Sequence, residues 1–236
     1  MKEVFRKSIW EVGKIFNNEY LLNKSTPHYY RYAQENILCE CSKCACPASS
    51  SQRYSFVFID ESSKLIYYDV PKAASTTIRN LLFGNKRSSS LRNPKEELNS
   101  YLKFTFVRNP WDRMVSNWKM FTTQPFRIDQ LKAMTNMDLS NFEDFVDFAI
   151  DNANHHWQPQ VLFTHEKLDF IGKMESFDDD MNRLLDMIGK KRVPSSYEKR
   201  NTTERKKYQE YYSNPSVIQK VAKHYHEDIE TFGYTF

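Results

Sequence analysis

Glycine is scarce in this chain, at five of 236 residues. Ordered structure with few glycine turns is expected. A conventional ATP or GTP P-loop is disfavoured, because a Walker A loop needs G-x4-G-K-S/T and no glycine falls between Pro71 and Gly84. No stretch approaches the roughly 20 apolar residues that would span a bilayer. The first ten residues are broken by Lys2, Glu3, Arg6 and Lys7, too charged for the apolar core of a signal peptide. The expectation is a soluble, cytoplasmic protein. Cysteine is confined to one stretch, Cys39, Cys41, Cys44 and Cys46. Its C-x-C-x2-C-x-C spacing admits a structural zinc ion, although four ligands this close are cramped around one tetrahedral centre. A loop of free or paired thiols is the alternative. The net charge of +4 is mild and dispersed, with basic clusters only at 190–192 and 199–207. Aromatic interleaving and a nucleic-acid module are both missing, so no nucleic-acid partner is expected.

What is present reads as one medium domain, able to bury a core without disulfides. Residues 1–53 hold an amphipathic helix, with Phe5, Ile9, Val12, Ile15 and Phe16 at near-helical spacing, followed by a polar, Ser- and Cys-rich segment. This piece is too short to fold alone, so the domain spans 54–236. Two β-rich runs, 54–60 and 65–70, flank a short polar link and predict a hairpin. After Pro71 the pattern turns helical, with Ile78, Leu81 and Leu82 on one face. A second strand-to-helix unit starts at Leu102. There Asn109 is a good N-cap and Pro110 a good first helical residue. Helices are expected at 141–152 and 176–188, a strand at 168–174, and a largely helical C-terminal third. Strands alternating with helices predict an α/β fold, a three-layer sandwich around a mostly parallel sheet.

The most informative segment is Val70-Pro71-Lys72-Ala73-Ala74-Ser75-Thr76-Thr77-Ile78. A strand runs into a tight turn of small residues and a helix starts within it. Successive N–H groups and the helix N-terminus then converge on one place, as in a P-loop. Lys72 adds a point charge and Ser75, Thr76 and Thr77 add hydroxyl donors, which together suit a phosphate-like anion. An ordinary Ser/Thr helix cap is the bland alternative. The second segment is Phe106-Val107-Arg108-Asn109-Pro110-Trp111-Asp112-Arg113-Met114-Val115-Ser116. Arg108 ends a strand at the C-terminal edge of the sheet, where α/β proteins bind ligands, and its guanidinium can grip a phosphate bidentately. Ser116 lies about two turns into the following helix, and reaches the same anion only if Arg108 folds back along it. Arg113 reads as a salt bridge or surface contact.

Together P-K-A-A-S-T-T and F-V-R-N-P-W-D-R-M-V-S resemble the two signatures that bind 3′-phosphoadenosine 5′-phosphosulfate (PAPS) in sulfotransferases. The likeness is greatest to the membrane-anchored carbohydrate group that includes chondroitin and dermatan 4-O-sulfotransferases. His155-His156-Trp157-Gln158-Pro159-Gln160, then 169–175, and Tyr225-His226-Glu227-Asp228 with the residues to Tyr234, are similar to that group too. The resemblance implies a P-loop-like fold and sulfuryl transfer to a hydroxyl of a carbohydrate or glycoconjugate. Lys72, Ala73, Ala74, Ser75, Thr76 and Thr77 would hold the 5′-phosphosulfate, and Arg108 and Ser116 the 3′-phosphate. Arg200 and Asn201 would belong to a loop closing over the nucleotide. The product would be 3′-phosphoadenosine 5′-phosphate, with no catalytic metal. The Golgi lumen becomes the expected location if an anchor has been removed.

Such a transfer needs a base near the working pH. His156 is the candidate, with His155 and Trp157 against the sugar. A packed structural role for His156 is the alternative, and Glu96 or Glu97 the fallback base. His224 and His226 read as helix-surface residues. Two other functions stay open: a nucleotide-dependent phosphotransferase using the same anion loop, and a non-enzymatic binding protein.

Overall fold

The computed structural model describes residues 57–84, 100–152, 154, 156–164, 167–192 and 206–236. The expected N-terminal helix, the Cys39–Cys46 cluster, Glu96, Glu97, His155, Arg200 and Asn201 lie outside the described residues. Two compact units emerge, Ser55–Arg113 with Pro159–Phe236, and Met114–Gln158.

The first unit carries the sheet. Strands β1 (Val57–Asp60) and β2 (Leu65–Tyr68) form the expected hairpin, pairing antiparallel with Phe58 opposite Tyr67. Strand β3 (Leu102–Val107) joins β2 in parallel and β4 (Phe170–Lys173) joins β3 in parallel, giving the order β1-β2-β3-β4. The fold class is therefore α/β with a mostly parallel sheet, as the alternating pattern predicted. Side chains alternate across a strand, so one sheet face presents Phe58, Leu65, Tyr67, Phe104, Phe106 and Phe170. Two helical segments cover that face. One is α1 (Ser75–Ile78) with its continuation, a wider π-helical stretch Arg79–Phe83, contributing Ile78, Leu82 and Phe83. The other is α5 (Phe177–Met187), contributing Phe177, Met181, Leu184 and Leu185. On the opposite face Val107 packs against Phe232 and Tyr234 at the end of α7 (His226–Phe232). Within this unit helices therefore cover one face of the sheet, and the C-terminal residues meet the other at Val107.

Aromatic packing explains one glycine. Phe106 and Gly172 are paired neighbours on β3 and β4, and a Cβ at Gly172 would overlap the Phe106 ring. Only a residue without a side chain leaves that ring its place in the core.

Helix α2 (Pro110–Thr123) opens as expected: the Asn109 side-chain oxygen accepts the N–H groups of Trp111 (3.1 Å) and Asp112 (3.4 Å). In the second unit, α3 (Pro125–Met134) is followed by α4 (Phe142–Asp151), whose first turn is capped by Asn141 accepting from the Glu143 N–H. The α4 face of Phe142, Phe145, Val146, Phe148 and Ala149 is buried. Helix α6 (Pro215–His224) belongs to the first unit, and its N-cap Asn214 accepts from Ser216.

Candidate active site

The loop after β2 is shaped without glycine. Lys72 and Ala74 both adopt left-handed backbone, φ 72° and 61°, where a Cβ is normally penalised. The strain is held by local bonds. Ala73 N–H and the Ser75 hydroxyl both donate to the Val70 carbonyl, at 3.2 and 3.0 Å. Ala73 is fully buried beneath the turn. Left-handed residues on either side of Ala73 give the turn a backbone pattern like that of anion-binding nests. Helix α1 starts from Ala74 with no side chain capping it. Lys72 is half-exposed and Thr77 buried. The Ser75 hydroxyl, expected as an anion donor, gives its proton to the turn instead. Thr76 accepts from Arg79 at 3.5 Å.

Asp69, just before the loop, escaped the sequence reading. Its carboxylate accepts the Tyr67 hydroxyl at 3.1 Å and lies 3.9 Å from Arg79 Nε. Burial raises its pKa, opposed by the positive charge of Arg79 and by the bond from Tyr67. Arg79 in turn donates to the Ser75 carbonyl at 3.1 Å, so this buried group braces the loop from behind.

Arg108 stands at the end of β3, as expected, and it meets the loop. Its Nη1 donates to the Lys72 carbonyl at 3.1 Å, and its Nε to Asp112 Oδ2 at 2.8 Å. The two side chains are only 12% and 17% exposed, so this pair is largely withdrawn from solvent. The Arg108 backbone is gripped by the Gln160 side chain, which accepts its N–H at 2.9 Å and donates to its carbonyl at 2.8 Å. Gln160 is itself fixed by Asp228, whose carboxylate accepts the N–H groups of Gln160 and Val161 at 2.8 and 2.9 Å. Asp228 is fully buried, and burial pushes its pKa up to about 6 against the pull of Arg113 and those N–H donors.

Arg113 differs from its expectation. It is 1% exposed, not at the surface, and its Nε donates to the Pro71 carbonyl at 2.9 Å. A second residue of the α2 signature thereby holds the loop from its backbone side. His224, expected on a helix surface, is half-buried, and burial with the nearby charge of Arg113 lowers its pKa to about 4. His226 is exposed, as expected.

In the second unit, Ser116 is half-buried on α2. His156 is 6% exposed; its backbone carbonyl accepts from Asn117 at 2.9 Å and its ring stands edge-on to Phe121. Trp157, read as a platform for a sugar, is a core residue. Its indole donates to the Asn152 carbonyl at 2.7 Å, and Phe121, Phe145 and Phe148 crowd it edge-on. With no exposed surface it offers no face to stack on. Among the described residues no cluster of three or more His, Cys, Asp or Glu could hold a metal ion. No helix among them is long and apolar enough to cross a membrane.

A mostly parallel sheet whose second strand ends in a left-handed turn, bonded to an arginine at the end of the neighbouring strand, defines an α/β protein in which the two signature segments meet. The sulfotransferase family model matches residues 55–235, and the chain belongs to that family. Carbohydrate sulfotransferase 11 of Mus musculus is 28% identical over 183 residues, covering 56% of this chain and 52% of its own. Carbohydrate sulfotransferase 11 of Danio rerio is 26% identical over 201 residues (62% and 57%). Carbohydrate sulfotransferase 9 of Homo sapiens is 24% identical over 182 residues (57% and 41%). The chain spans about half the length of the curated relatives it matches. No solved structure gives a significant match. Membership of this family does not favour the phosphotransferase alternative.

Proposed function

We propose that the chain is a sulfotransferase that moves a sulfuryl group from PAPS to a hydroxyl of a carbohydrate or glycoconjugate. The observation that carries this reading is the bond from Arg108 to the Lys72 carbonyl. It makes one anion-binding surface of the two signature segments in a member of the sulfotransferase family. The carbohydrate acceptor is drawn from the names of the relatives.

The left-handed turn, the small Ala73 and the uncapped start of α1 suit a phosphosulfate. PAPS supplies a sulfuryl group already bonded to a good phosphate leaving group. The backbone N–H groups of 74–77 and the Lys72 ammonium hold that end, and Lys72 meets the negative charge that grows on the leaving oxygen. Arg108 receives the 3′-phosphate. Ser116 is assigned to the same phosphate, and Arg200 and Asn201 to a covering loop, on the resemblance of their motifs alone. Holding donor and acceptor in line supplies much of the rate. No step assigned to these residues calls for a metal.

His156 remains the proposed base, and its burial sets a sharp test. His156→Ala losing rate while still binding nucleotide makes it the base. Unfolding makes it a packing residue and passes the role to Glu96 or Glu97. His155 keeps its assignment to the sugar; Trp157 does not. The compartment is proposed to be the cytoplasm; digestion of the tagged chain by protease after selective permeabilisation of the plasma membrane is expected, and protection there would contradict it.

Transfer of labelled sulfate from PAPS to a panel of desulfated polysaccharides tests the function. Label should appear in a polysaccharide product and be lost with Lys72→Ala. Label that no acceptor in the panel receives, from a folded chain that binds PAPS, would contradict the carbohydrate assignment.

A further inference from the structure

The Arg108 guanidinium is a rigid planar fork. One contact leaves it free to rotate, whereas two contacts through different nitrogens fix the plane. Here Nε is taken by Asp112 Oδ2 at 2.8 Å and Nη1 by the Lys72 carbonyl at 3.1 Å. The second contact is to backbone and cannot be removed by changing a side chain. The first comes from Asp112, one helical turn along α2 and in its acidic first turn. The backbone on either side is equally constrained, by Gln160 at Arg108 and by Asn109 at the start of α2. Asp112 is thus a side-chain element of this mount that substitution can change.

We propose that Asp112 is a positioning residue for nucleotide recognition, setting the plane of the Arg108 guanidinium so that the enzyme discriminates nucleotides by their 3′-phosphate. This rests on the reading of Arg108 given under Proposed function. A carboxylate that merely competed with the ligand for Arg108 would make the opposite prediction, because its removal would strengthen anion binding. The burial of the pair favours positioning: charge-assisted hydrogen bonds with little solvent access are the strong ones.

The test is calorimetric binding of 3′-phosphoadenosine 5′-phosphate and of adenosine 5′-phosphate to the full chain. Wild type should prefer the 3′-phosphorylated nucleotide; a wild type without that preference removes the reading on which the proposal rests. Asp112→Asn should weaken 3′-phosphoadenosine 5′-phosphate about tenfold, the scale of one charge-assisted hydrogen bond. Adenosine 5′-phosphate should shift less than about threefold. Asp112→Glu, which keeps the carboxylate, should recover most of the loss. With Arg108→Gln already present, adding Asp112→Asn should change affinity little, because the two act as one unit. Unchanged or tighter binding in Asp112→Asn, an equal loss for both nucleotides, or additivity with Arg108→Gln would each overturn the proposal, even with wild-type preference intact. Should Asp112→Asn not fold, Asp112→Ser carries the test, since it also removes the carboxylate: the same selective loss for the 3′-phosphorylated nucleotide is expected, and unchanged binding or an equal loss for both nucleotides overturns the proposal.

Discussion

Replacing Gln160 by Met should destabilise the protein far more than a single side-chain amide suggests. Gln160 is fully buried and its amide both accepts from and donates to the Arg108 backbone, at 2.9 and 2.8 Å. Methionine fills a similar volume and leaves that N–H and carbonyl without their partner. Each unsatisfied buried group costs about 1–3 kcal/mol, so the loss should be about 2–6 kcal/mol. That is a large part of the roughly 5–15 kcal/mol that holds a typical domain. Urea unfolding followed by tryptophan fluorescence gives the number directly. Trp111 donates to the Ile218 carbonyl in the same unit and so reports on its unfolding. A loss below about 1 kcal/mol with an unchanged denaturant slope would refute the idea that Gln160 is the clamp on the β3 terminus.

Lys72→Ala should lower turnover at least about a hundredfold, the scale for removing one preorganised electrostatic donor, while the melting temperature stays put because the side chain is half-exposed. Near-normal turnover sinks the role of Lys72 at the leaving oxygen. Gly172→Ala should cost about 1–3 kcal/mol by overpacking against Phe106, read as a lowered melting temperature; an unchanged melt would mean that the ring can move aside. The pair Asp228 and His224 should oppose each other in acid. Folding favours protonated Asp228, so its contribution is complete below pH 3.8 and is lost as pH rises through about 6. Folding favours neutral His224, so its contribution is complete above pH 6.5 and is lost as pH falls through about 4. Stability of His224→Asn should therefore rise, relative to wild type, between pH 6.5 and 4, and a parallel pH profile for the two proteins would contradict these environments.

The strands and helices were legible because each has a local cause. Continuous β-rich apolar runs mark β1 and β2, Asn109-Pro110 marks the start of α2, and Asp178, Asp179 and Asp180 mark the first turn of α5. The conformation of the anion loop was less legible, because positive φ is normally announced by glycine and here falls on Lys72 and Ala74. What holds those residues comes from elsewhere in the chain: Arg108 reaches Lys72 across 36 residues, and Arg113 reaches Pro71 across 42. Gln160 and Asp228 lay inside motifs noted for their likeness to a family, yet their roles needed partners 52 and 68 residues away. Asp69 carried one usable signal, an acidic residue ending a β-rich run just before the loop. Trp157 was misjudged because an aromatic beside two histidines looks the same in sequence whether it faces a sugar or three phenylalanines. Burial decides that question, and burial is set by α2 and α4 together with the turn that carries the tryptophan.

Calorimetric titration of the full chain with 3′-phosphoadenosine 5′-phosphate, ADP and ATP, first without and then with magnesium, tests the central claim most directly. The account predicts tight binding of 3′-phosphoadenosine 5′-phosphate that does not depend on magnesium, and much weaker binding of ADP, which lacks the 3′-phosphate. Preference for ATP in the presence of magnesium would contradict it, and would mean that the loop around Lys72 serves phosphoryl transfer instead.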